Sequence, residues 1–222
     1  MKWQWKREWL PLAILLTMAL TATIVYPTLP DHVPTHFDLH GEPDSYSSKA
    51  TFTAFTLGGS IALYLVLTFI PWIDPFRRKI EQRYDTLMKF RTLTLIFFAI
   101  IFFLSVHAAR TGRFEPRWLE FGFGALFIAL GNYLPQLPRN FFFGVRSPWT
   151  LASEEVWKRT HALSGYLFVI GGILMLILAL FRVNMIWSMV GIILPICIFC
   201  AFIYPYYLFK KLQKENDNGV QL

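Results

Sequence analysis

Three imidazoles offer the first chemistry in this chain. His32, His36 and His40 recur every fourth residue, with Asp31, Asp38 and Asp44 among them. Imidazoles and carboxylates together are the donor set of a zinc site. A spacing of four gathers side chains on one face only in a helix. Pro27, Pro30, Pro34 and Pro43 forbid a regular helix over this stretch. The HExxH pair that would add a general base to such a site is not in the sequence. The expectation is therefore hydrogen-bonding or pH-sensing histidines without a metal or other cofactor. They sit in a small ordered loop, 27–50, in which Gly41-Glu42-Pro43-Asp44 reads as a turn.

A second connection, 132–161, also carries side chains suited to recognition. Pro135 and Pro138 end a helix there, and Asn140 and Gly144 suit turn positions. Ser153-Glu154-Glu155, just before Val156 and Trp157, has the form of an N-cap with acids in the first turn. A short helix from about 153 is expected to run at the interface and into the next apolar stretch. Arg146 lies between Phe141–Phe143 and Pro148-Trp149. It is expected against aromatic faces, donating its planar fork to a carboxylate, a carbonyl or a lipid phosphate. A snorkelling arginine beside a tryptophan anchor accounts for the same residues. Cys197 and Cys200 both fall in an apolar run and read as two small hydrophobes rather than a redox pair. They are silent on compartment.

The elements that hold these loops follow from composition. Of 222 residues, 55% are hydrophobic and only 16% charged, with a mean hydropathy of +0.44. A soluble domain carries roughly 25% charged residues. Six charge-free apolar runs stand out, at about 9–29, 50–73, 92–109, 121–138, 162–181 and 183–209. Each approaches the 17–25 residues or so that cross a bilayer as a helix, and helices keep backbone polar groups paired in lipid. None shows the alternation of a membrane barrel strand. The fold class expected is all-α: a polytopic membrane protein with six transmembrane helices in two units. Residues 1–91 form a two-helix unit and residues 92–222 a four-helix unit. The first run, Trp9 to Leu29, is longer than a signal-peptide core, so an uncleaved first helix is expected.

Charge sets the orientation. With both termini inside, 16 of the 21 Lys and Arg are cytoplasmic, and only Lys49, Arg110, Arg113, Arg117 and Arg182 remain outside. That is the positive-inside pattern. The net charge of +7 then reflects topology and contact with anionic membrane lipids, and nucleic-acid binding need not be invoked. Trp9, Tyr26, Trp72, Trp118 and Trp187 stand at helix ends as interfacial anchors. The basic loop 74–91 suits a solvated face or interfacial helix, or a docking surface for a soluble partner.

Two motifs in order carry a family resemblance. Gly144-Val145-Arg146-Ser147-Pro148-Trp149-Thr150-Leu151, followed by Glu155-Val156-Trp157 and preceded by Gly131-Asn132 and Arg139-Asn140, resembles the signature of the SdpI family of bacterial membrane proteins. Leu29 to Phe37 and Gly41 to Lys49 resemble the domain that precedes that signature in such chains. The resemblance implies a membrane immunity and signalling protein. It would give resistance to a secreted antimicrobial peptide toxin of the SDP type, and on engaging the toxin would hold a cytoplasmic autorepressor at the membrane. The binding residues it points to are His36, Gly41, Asp44, Tyr46 and Lys49 outside. Inside they are Asn132, Asn140, Gly144, Arg146, Pro148, Trp149, Thr150 and Trp157.

Two other classes compete with that expectation. A membrane-embedded metal-dependent hydrolase would need a base beside the histidines, and none is recognisable. A transporter or flippase of peptide or lipid would need polar residues within the spans. Those noted are His107, Asn132, Asn184 and Ser188, with no charge relay at mid-membrane. Gly122, Gly124, Gly171 and Gly172 suit close helix packing, and Pro195 a kink. No catalytic residue is assigned, and the chain is not expected to be an enzyme.

Overall fold

The computed structural model describes residues 5–38, 42–217 and 219; Lys2, His40 and Gly41 lie outside them. Helix α1 (Trp5–Val25) runs through one tight turn to Thr28 and into a β-hairpin of β1 (His32–Phe37) and β2 (Pro43–Ser48). Helices α2 (Lys49–Ile73), α3 (Arg77–Gln82), α4 (Tyr84–Thr111) and α5 (Pro116–Tyr133) follow. The short α6 (Pro148–Ala152) then leads into α7 (Glu154–Leu180). The last helix, α8 (Met185–Asp217), is continuous but changes pitch along its length.

Five of these helices, α1, α2, α4, α7 and α8, are long and apolar enough to cross a membrane. The stretch expected as another span, 121–138, lies largely in α5, whose 18 residues are diluted by Arg117, Glu120 and Asn132. Helix α4 begins about two turns before the apolar run that announced it, so Arg91 belongs to a helix and not to the loop before it.

The expected ordered loop is a hairpin because its prolines exclude helix but tolerate extended backbone. The strands pair antiparallel, His32 opposite Ser48 and Pro34 opposite Tyr46, with an irregularity between Pro34 and His36. Ser48 closes the hairpin and opens α2, its hydroxyl accepting the Thr51 N–H at 3.1 Å. Val33 is fully buried against Met18, Ala22, Phe52 and Phe102, which pins the hairpin onto α1, α2 and α4.

Helices α5 and α7 touch along two glycine pairs. A Cβ on Gly172 would fall 2.6 Å from the Gly124 carbonyl oxygen, and one on Gly165 would fall 2.7 Å from that of Gly131. Only glycine permits backbones this close, and the contact drives packing where lipid supplies no hydrophobic incentive. In α8, Met189–Ile193 and Phe199–Ile203 are π-helical, and each ends two residues before a proline, Pro195 and Pro205. Proline lacks an N–H and its ring displaces the carbonyl four residues back, so the preceding turn widens.

The bundle has two distinct ends. At one, the hairpin meets the α4–α5 turn, Phe37 stacking on Phe114 with ring centroids 5.0 Å apart. At the other, α3 meets the start of α7 through a Lys79–Glu154 ion pair, and Trp149 of α6 meets Tyr206 of α8 edge-on at 5.3 Å. These are the cap end and the basic end below.

Candidate functional sites at the two ends of the bundle

At the cap end, the hairpin is tied to the start of α2 by an ion pair. Lys49 Nζ lies 2.8 Å from Asp31 Oδ1, and the Lys49 N–H donates to the Asp31 carbonyl at 3.2 Å. The lysine holds the Asp31 carboxyl below its usual pKa, first through this hydrogen bond and then through its charge. His36 Nδ1 and Asp44 Oδ1 are 2.5 Å apart on the exposed side of the hairpin. Tyr46 is 56% exposed. Among the described residues no three His, Cys, Asp or Glu side chains converge as metal ligands would.

Under the hairpin lies an apolar groove. Its upper part, about 400 Å³, is lined by Pro34, Phe37, Phe52, Phe55, Ile101 and Phe114 among others. A lower part of about 460 Å³ shares Phe55, Thr56 and Ile101 and continues between α2 and α4 to Val66 and Phe98. Phe55 is 82% exposed at the junction of the two. The groove therefore starts beneath a polar roof and descends along the lipid-facing side of the bundle.

The basic end is organised by the elbow between α5 and α7. Asn140 is fully buried and uses its whole amide. Its Nδ2 donates to the Pro138 and Phe143 carbonyls at 2.8 and 3.1 Å, and its Oδ1 accepts the Phe142 and Phe143 N–H groups at 2.9 and 2.6 Å. Asp74, at the end of α2, accepts the Phe76 N–H at 2.7 Å and the Phe141 N–H at 2.8 Å, which fastens α2 to the elbow. Gly144 has φ +91°, and a Cβ there would lie 2.4 Å from His161 Nε2.

His161 reads the backbone in two directions. Its Nε2 accepts the Val145 N–H at 3.0 Å, and its Nδ1–H donates to the Trp157 carbonyl at 2.9 Å. These partners define a neutral imidazole with the proton on Nδ1. The ring stacks on Trp157 at 4.0 Å, and the Trp157 indole N–H donates to the Leu137 carbonyl at 2.9 Å. Ser147 and Thr150 then form a capping box around Pro148, the Ser147 N–H donating to Thr150 Oγ1 at 2.8 Å. Ser153 caps α7 as its sequence predicts, accepting the Val156 N–H at 3.4 Å. Arg146 is exposed and donates to the Phe141 carbonyl at 2.8 Å. The guanidinium stacked on an aromatic ring here is that of Arg139, 4.7 Å from the Phe76 centroid.

Residues 136–207, which hold this elbow, α6, α7 and most of α8, match the model of the SdpI/YfhL protein family. Residues 12–59, from α1 through the hairpin into α2, match a domain of unknown function, DUF1648. The chain is also similar to Immunity protein SdpI of Bacillus subtilis (strain 168), 24% identical over 209 residues that cover 93% of this chain and 98% of that protein. No solved structure matches.

The geometry sorts the candidate residues. Asn140, Gly144, Thr150 and Trp157 are knitted together inside the SdpI/YfhL elbow, whereas Arg146, Pro148 and part of Trp149 face outward. Asn132 stands apart on α5, exposed and bonded to its own Ile128 carbonyl at 2.8 Å. His36, Asp44 and Tyr46 lie in the hairpin at the opposite end, and Lys49 opens α2 directly after it. Sequence reasoning missed His161, whose role depends on a glycine 17 positions earlier. It also missed a buried cluster toward the basic end. Arg91 spans both Glu8 oxygens at 2.9 and 3.3 Å, donates to Thr68 Oγ1 at 2.9 Å, and lies 5.0 Å from the Tyr64 ring. Tyr64 O–H also donates to Glu8 at 2.8 Å. The available signal was a Glu and an Arg at the margins of apolar runs, one helix apart from each other in the expected topology.

Proposed function

We propose that this chain is an immunity protein of the bacterial cell membrane that intercepts a secreted peptide toxin of the SDP type at its cap end. The observation that carries the reading is the apolar groove beneath the hairpin. The similarity to Immunity protein SdpI along nearly the whole chain supports it. An amphipathic peptide arriving at the interface still has half-hydrated apolar side chains, and each square ångström it covers in the groove returns about 25 cal/mol. Asp31, Asp38, Glu42 and Asp44 give the roof an acidic character that favours a cationic peptide. Captured there, the peptide is kept out of the free bilayer.

In this reading the chain crosses the membrane six times with both termini in the cytoplasm. Helix α5, with the elbow that follows it, joins an α4 that finishes at the cap end to an α7 that starts at the basic end, which supports a sixth crossing. The positive-inside rule puts the basic end in the cytoplasm. The N-terminal unit, 1–91, carries the toxin site and the C-terminal unit, 92–222, the elbow. Exposed Arg146 and Pro148 and the half-buried Trp149, at the same end as the basic α3, form the surface that holds a cytoplasmic autorepressor.

Survival of toxin-sensitive cells tests this. Cells making the chain should withstand the peptide, and a Phe37→Ala/Phe55→Ala double variant, present in the membrane at equal amount, should not. Equal survival with the two chains would refute the groove as the toxin site. Exchanging Arg146→Ala and Trp149→Ala should spare survival and abolish co-sedimentation of the repressor with membranes.

A further inference from the structure

Glu120 is a carboxylate buried inside the bundle with nothing holding it. It is 0% exposed in the second turn of α5, and neither carboxyl oxygen has a hydrogen-bond partner. Ser188, 1% exposed at the start of α8, lies beside it, and its hydroxyl is likewise unpartnered. Thr56, Ser60, Thr68 and Thr92 each donate to the carbonyl four residues back at 2.6–2.9 Å, whereas Ser188, like Thr160 and Ser164 of α7, does not. Two polar side chains from different helices thus face one another, and no cationic group pairs with the carboxylate. An ionised carboxylate left so costs several kcal/mol or more, so the group must carry a cation.

The position of the pair indicates which cation and from where. Pro116 and Asn184, one helical turn toward the cap from Glu120 and Ser188 respectively, line the same recess of about 410 Å³. His36, Asp38 and Asp44 of the hairpin end also line it, so the recess lies between the cap and the turn that precedes the pair on each helix. Among the described residues no cluster of three His, Cys, Asp or Glu forms here, and the three side-chain oxygens of the pair are too few for a metal ion, which takes about six. They suffice for a proton.

We propose that Glu120 is an exchangeable proton-binding site, loaded through the cap-side recess and hydrogen-bonded as the neutral acid to Ser188. This is independent of the toxin reading and adds an intramembrane proton site to it. The charged groups around the site come from every element packed there. Arg117 is engaged by Glu115 at 2.8 Å on α5 itself. Arg182 lies in the α7–α8 turn, and His107 and Arg110 lie at the end of α4. The last turns of α7, from Ile173 to Leu180, contribute none. None of these groups pairs with Glu120.

Infrared spectroscopy of the full chain in lipid nanodiscs tests the proposal. A protonated-carboxyl band should be present at low pH, fall about tenfold per pH unit above its midpoint, persist in sodium chloride, and vanish in Glu120→Gln. Ser188→Ala should shift the band without removing it. Dicyclohexylcarbodiimide, which adds to protonated carboxyls within membranes, should modify the Glu120 peptide of the unaltered chain. That adduct assigns the band even if Glu120→Gln does not fold. Absence of the band from the unaltered chain, or its loss in sodium at constant pH, would overturn the proposal.

Discussion

Arg91 and Glu8 are 83 positions apart in sequence and 2.9 Å apart in the bundle, with the arginine fully buried. The pair joins α1 to α4, and Tyr64 and Thr68 bring in α2, so three helices share one polar knot toward the basic end. Charges in such a place are expensive alone and tolerable together. The knot fixes which faces of α1, α2 and α4 meet, and so places the hairpin over the groove.

Removing one partner should therefore cost far more than removing both. Glu8→Ala leaves an uncompensated guanidinium and should destabilise the protein by about 3–5 kcal/mol. The double variant Glu8→Leu/Arg91→Met should recover most of that loss. Thermal denaturation of the detergent-solubilised protein measures both. A double variant as unstable as Glu8→Ala would mean that packing, not charge, holds the knot.

Gly144→Ala should disable the elbow specifically. It places a methyl group against His161 Nε2, in a backbone conformation with φ +91° that alanine resists. The left-handed backbone alone costs about 1–2 kcal/mol, and the lost Val145–His161 hydrogen bond adds about 1 more. Histidine NMR should report the change: the Nδ1–H tautomer that is unique in the unaltered chain should become mixed.

Asn140→Ala leaves the buried Phe143 carbonyl and N–H, and the half-buried Pro138 carbonyl and Phe142 N–H, without their side-chain partner. At about 1–3 kcal/mol for each group left unsatisfied, partly relieved by water, the loss should reach roughly 3 kcal/mol. Amide exchange at Phe142 and Phe143 should accelerate well before exchange in α7 does.

Acid should loosen the cap edge. Lys49 holds the Asp31 carboxyl below 3.8, so the ion pair is intact above that value and its contribution is lost as pH falls through the depressed pKa. Carbon NMR of the Asp31 carboxyl should show a midpoint under 3.8, and Lys49→Met should raise it. A midpoint unmoved by that substitution would place the lysine elsewhere.

Much of this architecture was readable in the residues themselves. The apolar runs mark the helices because lipid demands internal backbone pairing, and Ser153 announces the start of α7 because its hydroxyl can reach the Val156 N–H. Four prolines ruled out helix in the cap, but not which extended form it takes; the register of His32 with Ser48 depends on Val33 finding a buried place among three helices. What stayed hidden were pairings made by tertiary contact. Glu8 and Arg91 look like ordinary charged flanks of apolar runs until the helices are laid side by side. Glu120 looks like the edge of a span until α8 covers it. Of the candidate binding residues, Asn140 and Trp157 are spent inside the elbow, whereas Arg146 and Tyr46 keep an exposed face for a partner.

The most direct test of toxin capture is photocrosslinking in living cells. A benzophenone side chain replaces Phe55, at the junction of the two parts of the groove, or Tyr166, 72% exposed on α7 away from it. The peptide that kills cells lacking this chain should crosslink from position 55 and not from position 166. Crosslinking from 166 alone, or from neither position in cells that survive the peptide, would contradict capture beneath the cap.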